Sequence, residues 1–295
     1  MHQPVLLDEV LEWLRVAPGE LVLDATVGLG GHAERILQAL GPTGRLIGLD
    51  QDPEALAAAK DRLERIGGVT LVQANFGEAA AVLDRLGVER IDAALLDLGV
   101  SSLQLDSACR GFSFQKAGPL DMRMDPAGPV TAAEIVNRAD ARELARIIRD
   151  YGEERFADRI ARAITAGRPF TTTIALAETV RQAVPGPARF GRIHPATRTF
   201  QALRIAVNSE LERLEGGIGQ LLQRLRKGGR IVVLAYHSLE DRIVKNRFRE
   251  ESKAGRLELL TAKPIRPSEA EVAANRRARS ARLRAARKVA EEGAG

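Results

Sequence analysis

The sequence predicts an α/β fold: a mostly parallel sheet covered by helices on both faces, interrupted by an inserted helical subdomain. Three observations predict it. Four apolar runs, "LVLDAT" (21–26), "RLIGLD" (45–50), "VTLVQAN" (69–75) and "IDAALLDLG" (91–99), recur at regular intervals with helical segments between them. The runs are continuous rather than alternating, the pattern of strands buried on both faces. A fifth run, "RIVVLAY" (230–236), comes only after roughly 130 further residues, where a crossover needs roughly 20 to 40.

The connecting segments follow in order. Residues 31–40 resume helical spacing after a glycine cluster. "PEALAAAKDRLERI" (53–66) opens with Pro53, which suits the first helical turn, and "GEAAAVLDRLG" (77–87) is the third helix. The long middle contains "RELARIIRDYGEERFADRIARAI" (142–164), where Ile147, Phe156, Ile160 and Ile164 recur at helical spacing. Pro/Gly punctuation follows at "GRPF" and "VPGPARFGRIHP". A long helix with its pattern loosened at Gly216-Gly217-x-Gly219 leads into the fifth strand. The division expected is a discontinuous core, 1–105 and 207–295, and a helical insert, 106–206, for substrate recognition.

Composition narrows the function. The 295 residues are 45% hydrophobic and 28% charged, ordinary for a globular enzyme. The net charge is +5, and Arg outnumbers Lys 37 to seven. Arg forks match phosphates and stack on bases, so an anionic partner is favoured; thermal adaptation or codon bias would give the same balance. Cys109 is the only cysteine and the four histidines lie far apart, so no metal site is expected. The N-terminus lacks a basic segment and a long apolar core, and no stretch approaches bilayer-spanning length. A cytoplasmic protein is expected.

The first strand ends in "DATVGLGGHA" (24–33). Gly28-x-Gly30-x-x-Ala33 satisfies the relaxed dinucleotide fingerprint, with Asp50 the expected distance downstream. A phosphate-binding P-loop needs Gly-Lys-Ser/Thr, which Gly31-His32-Ala33 refuses. An acid at position 24 would repel a pyrophosphate but suits a ligand bearing an ammonium group, such as S-adenosylmethionine (SAM). Asp50 closes the second strand, where a carboxylate accepts both ribose hydroxyls of either cofactor. "QANF" puts Phe76 where adenine could pack, and Asp97 ends the fourth strand at the same carboxyl edge. The pattern favours SAM over NAD and leaves an NAD-linked oxidoreductase as the alternative.

"DLGVSSLQLD" (97–106) and "RGFSFQKAGPLDMRMDP" (110–126) are too idiosyncratic for a generic fold pattern. With "HQPVLLDEV" (2–10), "YGEERFADRIARAI" (151–164), "HPATRTFQALRIAVNSEL" (194–211), "GGRIVVLAYHSLEDRIVKNRF" (228–248) and "KPIRPSEAEVAANRRARSARLRAA" (263–286), the chain closely resembles the bacterial 16S rRNA (cytosine-N4)-methyltransferase family, ribosomal RNA small subunit methyltransferase H. The resemblance runs nearly end to end. It implies a class I SAM-dependent methyltransferase fold, Rossmann-like and mostly parallel. The implied reaction moves a methyl group from SAM to the exocyclic N4 of a cytidine in the P-site (decoding) region of 16S rRNA, on the assembled small subunit. By position it implies SAM contacts at Gly30, Gly31, His32, Asp50, Phe76, Asp97 and Gln104. Leu103 stands where the family is expected to carry Pro, which puts the turn presenting Gln104 in doubt. A ribosome-assembly factor with a vestigial SAM pocket is a further alternative.

The fold implied also needs a last strand at "SARLRAAR" (280–287), against its Ala/Arg helix propensity. The usual amino-methyltransferase Asp-Pro-Pro-Tyr motif is absent, and Asp97-Leu98-Gly99 takes its place. Asp97 and His237 are the candidate catalytic residues. His237 follows the fifth strand, with Ser238 expected to cap the next helix and leave the imidazole free. Asp241 and Arg242 read as helix-surface residues. Asp121 and Arg123 fit either an active-site mouth or a hinge into the insert, and His194 a structural role. The run 276–288 carries seven basic residues and no acid, a solvated face or a phosphate track.

Overall fold

The computed structural model describes residues 4–191 and 193–290. The chain divides into two compact units, residues 1–99 with 211–295, and residues 100–210. The first holds a seven-stranded sheet: β1 (Leu21–Asp24), β2 (Arg45–Asp50), β3 (Val69–Gln73), β4 (Ile91–Asp97), β5 (Leu225–Ala235), β6 (Leu257–Leu259) and β7 (Arg282–Lys288). Their spatial order is β3-β2-β1-β4-β5-β7-β6. β1 to β5 pair in parallel, and β7 runs antiparallel between β5 and β6. This is the α/β class expected, with the class I methyltransferase strand order.

Helices cover both faces because the strands are apolar on both. One face packs Leu23, Leu49, Leu96 and Val233 under Val82, Leu83, Ile218 and Leu221. The other packs Val22, Leu46, Leu95 and Leu234 under Val10, Ile36, Leu40 and Leu63. The helix at Pro53–Leu63 starts as its sequence dictates, with Pro53 in the first turn and the Asp52 carboxylate accepting from the Glu54 N–H.

The last strand is present at 282–288, two residues later than expected at its start. Tertiary partners override its helix propensity. Leu283, Ala285 and Ala286 are buried, and Arg284, itself buried, reaches Asp241 at 2.6 Å. Arg282 approaches the same carboxylate at 3.4 Å. The buried Lys288 donates from Nζ to Leu222 O at 2.7 Å, near the end of the helix Glu210–Arg224. Asp241 is therefore not a plain helix-surface residue. It pairs with two arginines of β7 and lets Arg284 lie buried in the strand.

The second unit is helical. Its main helices are Ala132–Arg138, Ala141–Gly152, Ala157–Ala166, Thr173–Ala183 and Ala196–Asn208. Thr131, Asp140 and Thr172 cap three of them through side-chain oxygens. The helical spacing at 142–164 resolves into two helices, because Glu153 turns left-handed at φ 48°. Ile148, Ile160, Ile164, Leu176, Val180, Phe200 and Leu203 form the core. In the loop at 119–125, Asn208 accepts from the Met124 N–H and donates to Met122 O, both at 2.8 Å.

Asp241→Ala should leave the Arg284 guanidinium buried without its partner. We expect a loss of about 2 kcal/mol or more of stability, read as a lower denaturant midpoint.

Candidate active site

Three adjacent strands end in acids at one edge of the sheet, Asp24 on β1, Asp50 on β2 and Asp97 on β4. The parallel register aligns the ends, pairing Asp24 with Gly48 and with Leu95 on its two sides. Asp24 is fully buried, 1% exposed, and burial pushes its carboxyl up to about 8, with Asp97 and Asp50 adding repulsion. Burial likewise raises Asp50 to about 6. Asp50 also holds the turns around it: Oδ2 accepts from the Gly28 N–H and Oδ1 from the Asp52 N–H, both at 2.9 Å.

The glycine turn joins β1 to the helix Gly31–Leu40. Gly30 sits at φ 77°, the left-handed region, and a Cβ at Gly31 would lie 2.6 Å from the Pro4 ring. The N-terminal segment is thus pressed onto the turn. His32, buried behind it, ties both together. Its Nε2 donates to Val5 O at 2.9 Å, and its Nδ1 lies 3.5 Å from Asp97 Oδ2. The other Asp97 oxygen accepts from the Tyr236 hydroxyl at 2.7 Å, and the Asp97 N–H donates to Thr26 Oγ1 at 2.6 Å.

Phe76 follows β3 in a short turn capped by Asn75, whose Oδ1 accepts from the Gly77 N–H at 2.8 Å. A Cβ on Gly217 would meet the Phe76 ring at 3.0 Å. The glycines that loosen the helical pattern at 216–219 thus include one that admits Phe76 against the helix.

The structure brings together Gly30, Gly31, His32, Asp50 and Asp97 within one compact unit, and Phe76 belongs to the same unit. Gln104 lies in the other unit, and its side chain closes a capping box. Its Oε1 accepts from the Ser101 N–H at 3.0 Å, and its N–H donates to Ser101 Oγ at 3.2 Å. That box closes the turn with Leu103 in place of Pro. Asp121 and Arg123 form a two-point ion pair, 2.9 and 2.8 Å, in the helical unit. His194 stacks on Phe114 at 4.7 Å and accepts from the Ala196 N–H, the structural role expected of it.

His237 departs from expectation. It is itself the N-cap of the helix Ser238–Lys253, accepting from the Glu240 N–H at Nδ1, while Glu240 reaches back to the His237 N–H. Ser238 is the first helical residue, so the imidazole is not left free by a serine cap; Glu240 Oε1 also lies 3.1 Å from its Nε2. The motif Y-H-x-x-E carried the signal, since Glu three residues after a polar cap closes a capping box. Sequence reasoning also missed Tyr236 and Thr26, which no spacing rule connects to Asp97.

What these residues fit is a cation. Two carboxyls raised chiefly by burial, with neighbouring acids adding repulsion, regain their charge at least cost when a positive group lies among them. SAM carries sulfonium and ammonium groups of that charge, whereas a pyrophosphate would meet three acids. A family model described as the MraW methylase family matches residues 1–289. The chain belongs to this family. It is accordingly a SAM-dependent methyltransferase. A protein of Syntrophotalea carbinolica named "Ribosomal RNA small subunit methyltransferase H" is 52% identical, with 98% of each chain covered. Relatives of the same name from Carboxydothermus hydrogenoformans (50%, covering 98% of each chain) and Symbiobacterium thermophilum (52%, covering 98% of this chain and 96% of that one) are equally complete.

The raised carboxyls set a pH dependence. Without ligand, the folded state holds protons at Asp24 and Asp50 that the unfolded chain releases near 3.8. Their contribution to stability is therefore present below about 4 and is lost as pH rises through about 6 and about 8. A bound cation favours the ionised forms, so SAM affinity should rise between pH 6 and pH 8 with proton release on binding. Calorimetry in buffers of differing ionisation enthalpy measures this, and Asp24→Asn should flatten the rise towards pH 8.

Proposed function

We propose that this chain transfers the methyl group of SAM to the exocyclic N4 of a cytidine in the P-site region of 16S rRNA, acting on the assembled small subunit in the cytoplasm. The observation that carries the chemistry is Asp97, a carboxylate at the end of β4 whose side chain is 25% exposed while its neighbours Asp24 and His32 are buried. The rRNA substrate rests on full-length relatives that bear that activity in their names. No helix among the described residues is long and apolar enough to cross a membrane.

The residues divide the task. Asp50 accepts the ribose hydroxyls, Phe76 packs on the adenine, and Gly30, Gly31 and His32 line the cofactor at the helix start. Asp97 and Gln104 are the remaining cofactor residues that the family resemblance implies, and residues 106–206 supply substrate recognition. SAM, when bound, supplies a methyl group already activated on sulfur, so no metal is needed for the transfer. The amine is a poor nucleophile because its lone pair is delocalised into the ring. The chain must hold N4 in line with the methyl and offer an acceptor that strengthens as the nitrogen attacks. Asp97 offers a partly open carboxylate for that role. His237 is committed to capping through Glu240 and is the weaker candidate. The target base must leave its stack to reach the site.

The basic run at 276–288 needs division. Arg282 and Arg284 serve Asp241, Arg287 pairs with Glu258, and Lys288 is buried. Arg276, Arg277 and Arg279 lie on a short turn before β7 and form the portion suited to phosphates.

Labelled SAM with small subunits that lack the modification tests the reaction; we expect one methyl group, recovered as N4-methylcytidine. Label on another atom, or none, would refute the reading. Asp50→Ala should weaken SAM binding by on the order of 2 kcal/mol, because charge-assisted acceptors disappear. Neutralising Arg276, Arg277 and Arg279 together should leave SAM affinity unchanged. Subunit affinity should fall, with the slope of log K against log salt flattening by up to about one unit for each phosphate no longer neutralised.

A further inference from the structure

We propose that the outward face of the helix Ser238–Lys253 is a track for the phosphates of the RNA substrate, with Lys245, Arg249 and Lys253 as its contacts. This rests on the reading of the substrate as rRNA in the small subunit, and it names a surface that meets it. Arg242, Lys245, Arg249 and Lys253 follow one another at intervals of three, four and four residues, so the helical period stacks them in one row. Asn246 shares the row, and no acid does. Arg242, Arg249 and Lys253 are exposed, and Lys245 is half-buried. From Lys245 to Lys253 the row runs about 12 Å along the axis.

The acids of this helix are turned to other partners. Glu240 accepts from the N–H groups of Tyr236 and His237. Asp241 holds Arg284, and Glu251 holds Arg247 and Arg256. Glu250, the remaining one, lies beside the row rather than in it. Among the described residues, Lys245, Arg249 and Lys253 form no ion pair. Like charges three and four residues apart repel and weaken a helix. Lys253 has a local reason, since a cation in the last turn meets the helix dipole; Lys245 and Arg249 have none. Other helices of the chain answer their exposed arginines with acids one turn away, Arg146 with Glu143 and Asp150, and Arg181 with Glu178. An unanswered row suits a polyanion, which gains by releasing its counterions to it.

Other anionic partners fit worse. A basic amphipathic helix binds a membrane through its apolar face, but here Val244 and Phe248 are buried in the core, 1% and 2% exposed. A protein interface needs an apolar centre, and this row exposes no apolar side chain. Lysine, arginine and asparagine are common phosphate ligands. The helix begins directly after Tyr236, whose hydroxyl reaches Asp97 at 2.7 Å. The row therefore leads away from the edge of the sheet where the three acids end their strands, and an RNA backbone held on it passes beside that edge.

Lys245→Gln, Arg249→Gln and Lys253→Gln together test this, against a control that removes the same charge as glutamines at the exposed Arg35, Arg65 and Arg85. Binding to small subunits lacking the modification should weaken about tenfold or more, and the slope of log K against log salt should flatten by about two units. The SAM Kd and the thermal midpoint should hold, because the substitutions remove repulsion and no partner. Unchanged subunit affinity and slope would overturn the proposal. The control should keep the wild-type slope within about half a unit; equal losses in both would reduce the effect to net charge and overturn it too. If the triple variant does not fold, Arg249→Gln alone should flatten the slope by about 0.7 to 0.9 unit, and an unmoved slope again overturns the proposal. Purified 16S rRNA in place of subunits separates the partners: a loss seen on subunits and absent on free rRNA would give this face to a ribosomal protein and refute the RNA track. A wild-type chain that neither binds nor methylates small subunits would overturn the reading of the substrate itself. Methylation by the wild type with an unaffected triple variant would overturn only the role given to this helix.

Discussion

Three carboxylates at the ends of three neighbouring parallel strands are the constraint on which the rest of the site depends. Parallel pairing brings β1, β2 and β4 to a common edge, so acids at their last residues converge whether or not their charges agree. Burying such charges is costly, and the surrounding backbone answers it. Turn N–H groups bind Asp50 and Asp24, and a hydroxyl and an imidazole stand against Asp97. Such a group of acids favours a positive charge beside it, and a sulfonium cofactor carries one.

Close packing then leaves the glycine turn one position. Pro4 fills the space where Gly31 lacks a side chain, and His32 joins the N-terminal segment to the edge of the sheet. Glu271, near the other end of the chain, accepts from the Leu6 N–H at 2.7 Å, so segments 265 residues apart meet beside the site. The N-terminal stretch is thus packed against the glycine turn, and its sequence is constrained by that turn as much as by its own helix.

The basic tail shows that charge content and charge presentation are separate properties. A run of seven basic residues in the last strand region looks like an RNA track from composition. Three of them turn inward: the strand needs Arg282 and Arg284 to meet Asp241, and Lys288 to reach a helix end. A fourth, Arg287, pairs with Glu258 across to β6. The remaining three sit on the short turn before the strand.

The sequence by itself determined the alternation of strands and helices, the glycine turn, and the acids at strand ends. Each is a local pattern: continuous apolar runs, a φ above zero that glycine permits, a carboxylate just before a break. The boundaries at 31–40 and 45–50 were legible for the same reason. Only the tertiary structure decided that an Ala/Arg segment is a strand, since what holds it there is β5, β6 and an aspartate 41 residues before Arg282. Only tertiary structure, too, joined Tyr236 to Asp97 across 139 residues and made His237 rather than Ser238 the cap. Side-chain pairing between distant segments leaves no periodicity behind. A chain pattern reports what a residue is beside in sequence, and chemistry at this site depends on what it is beside in space.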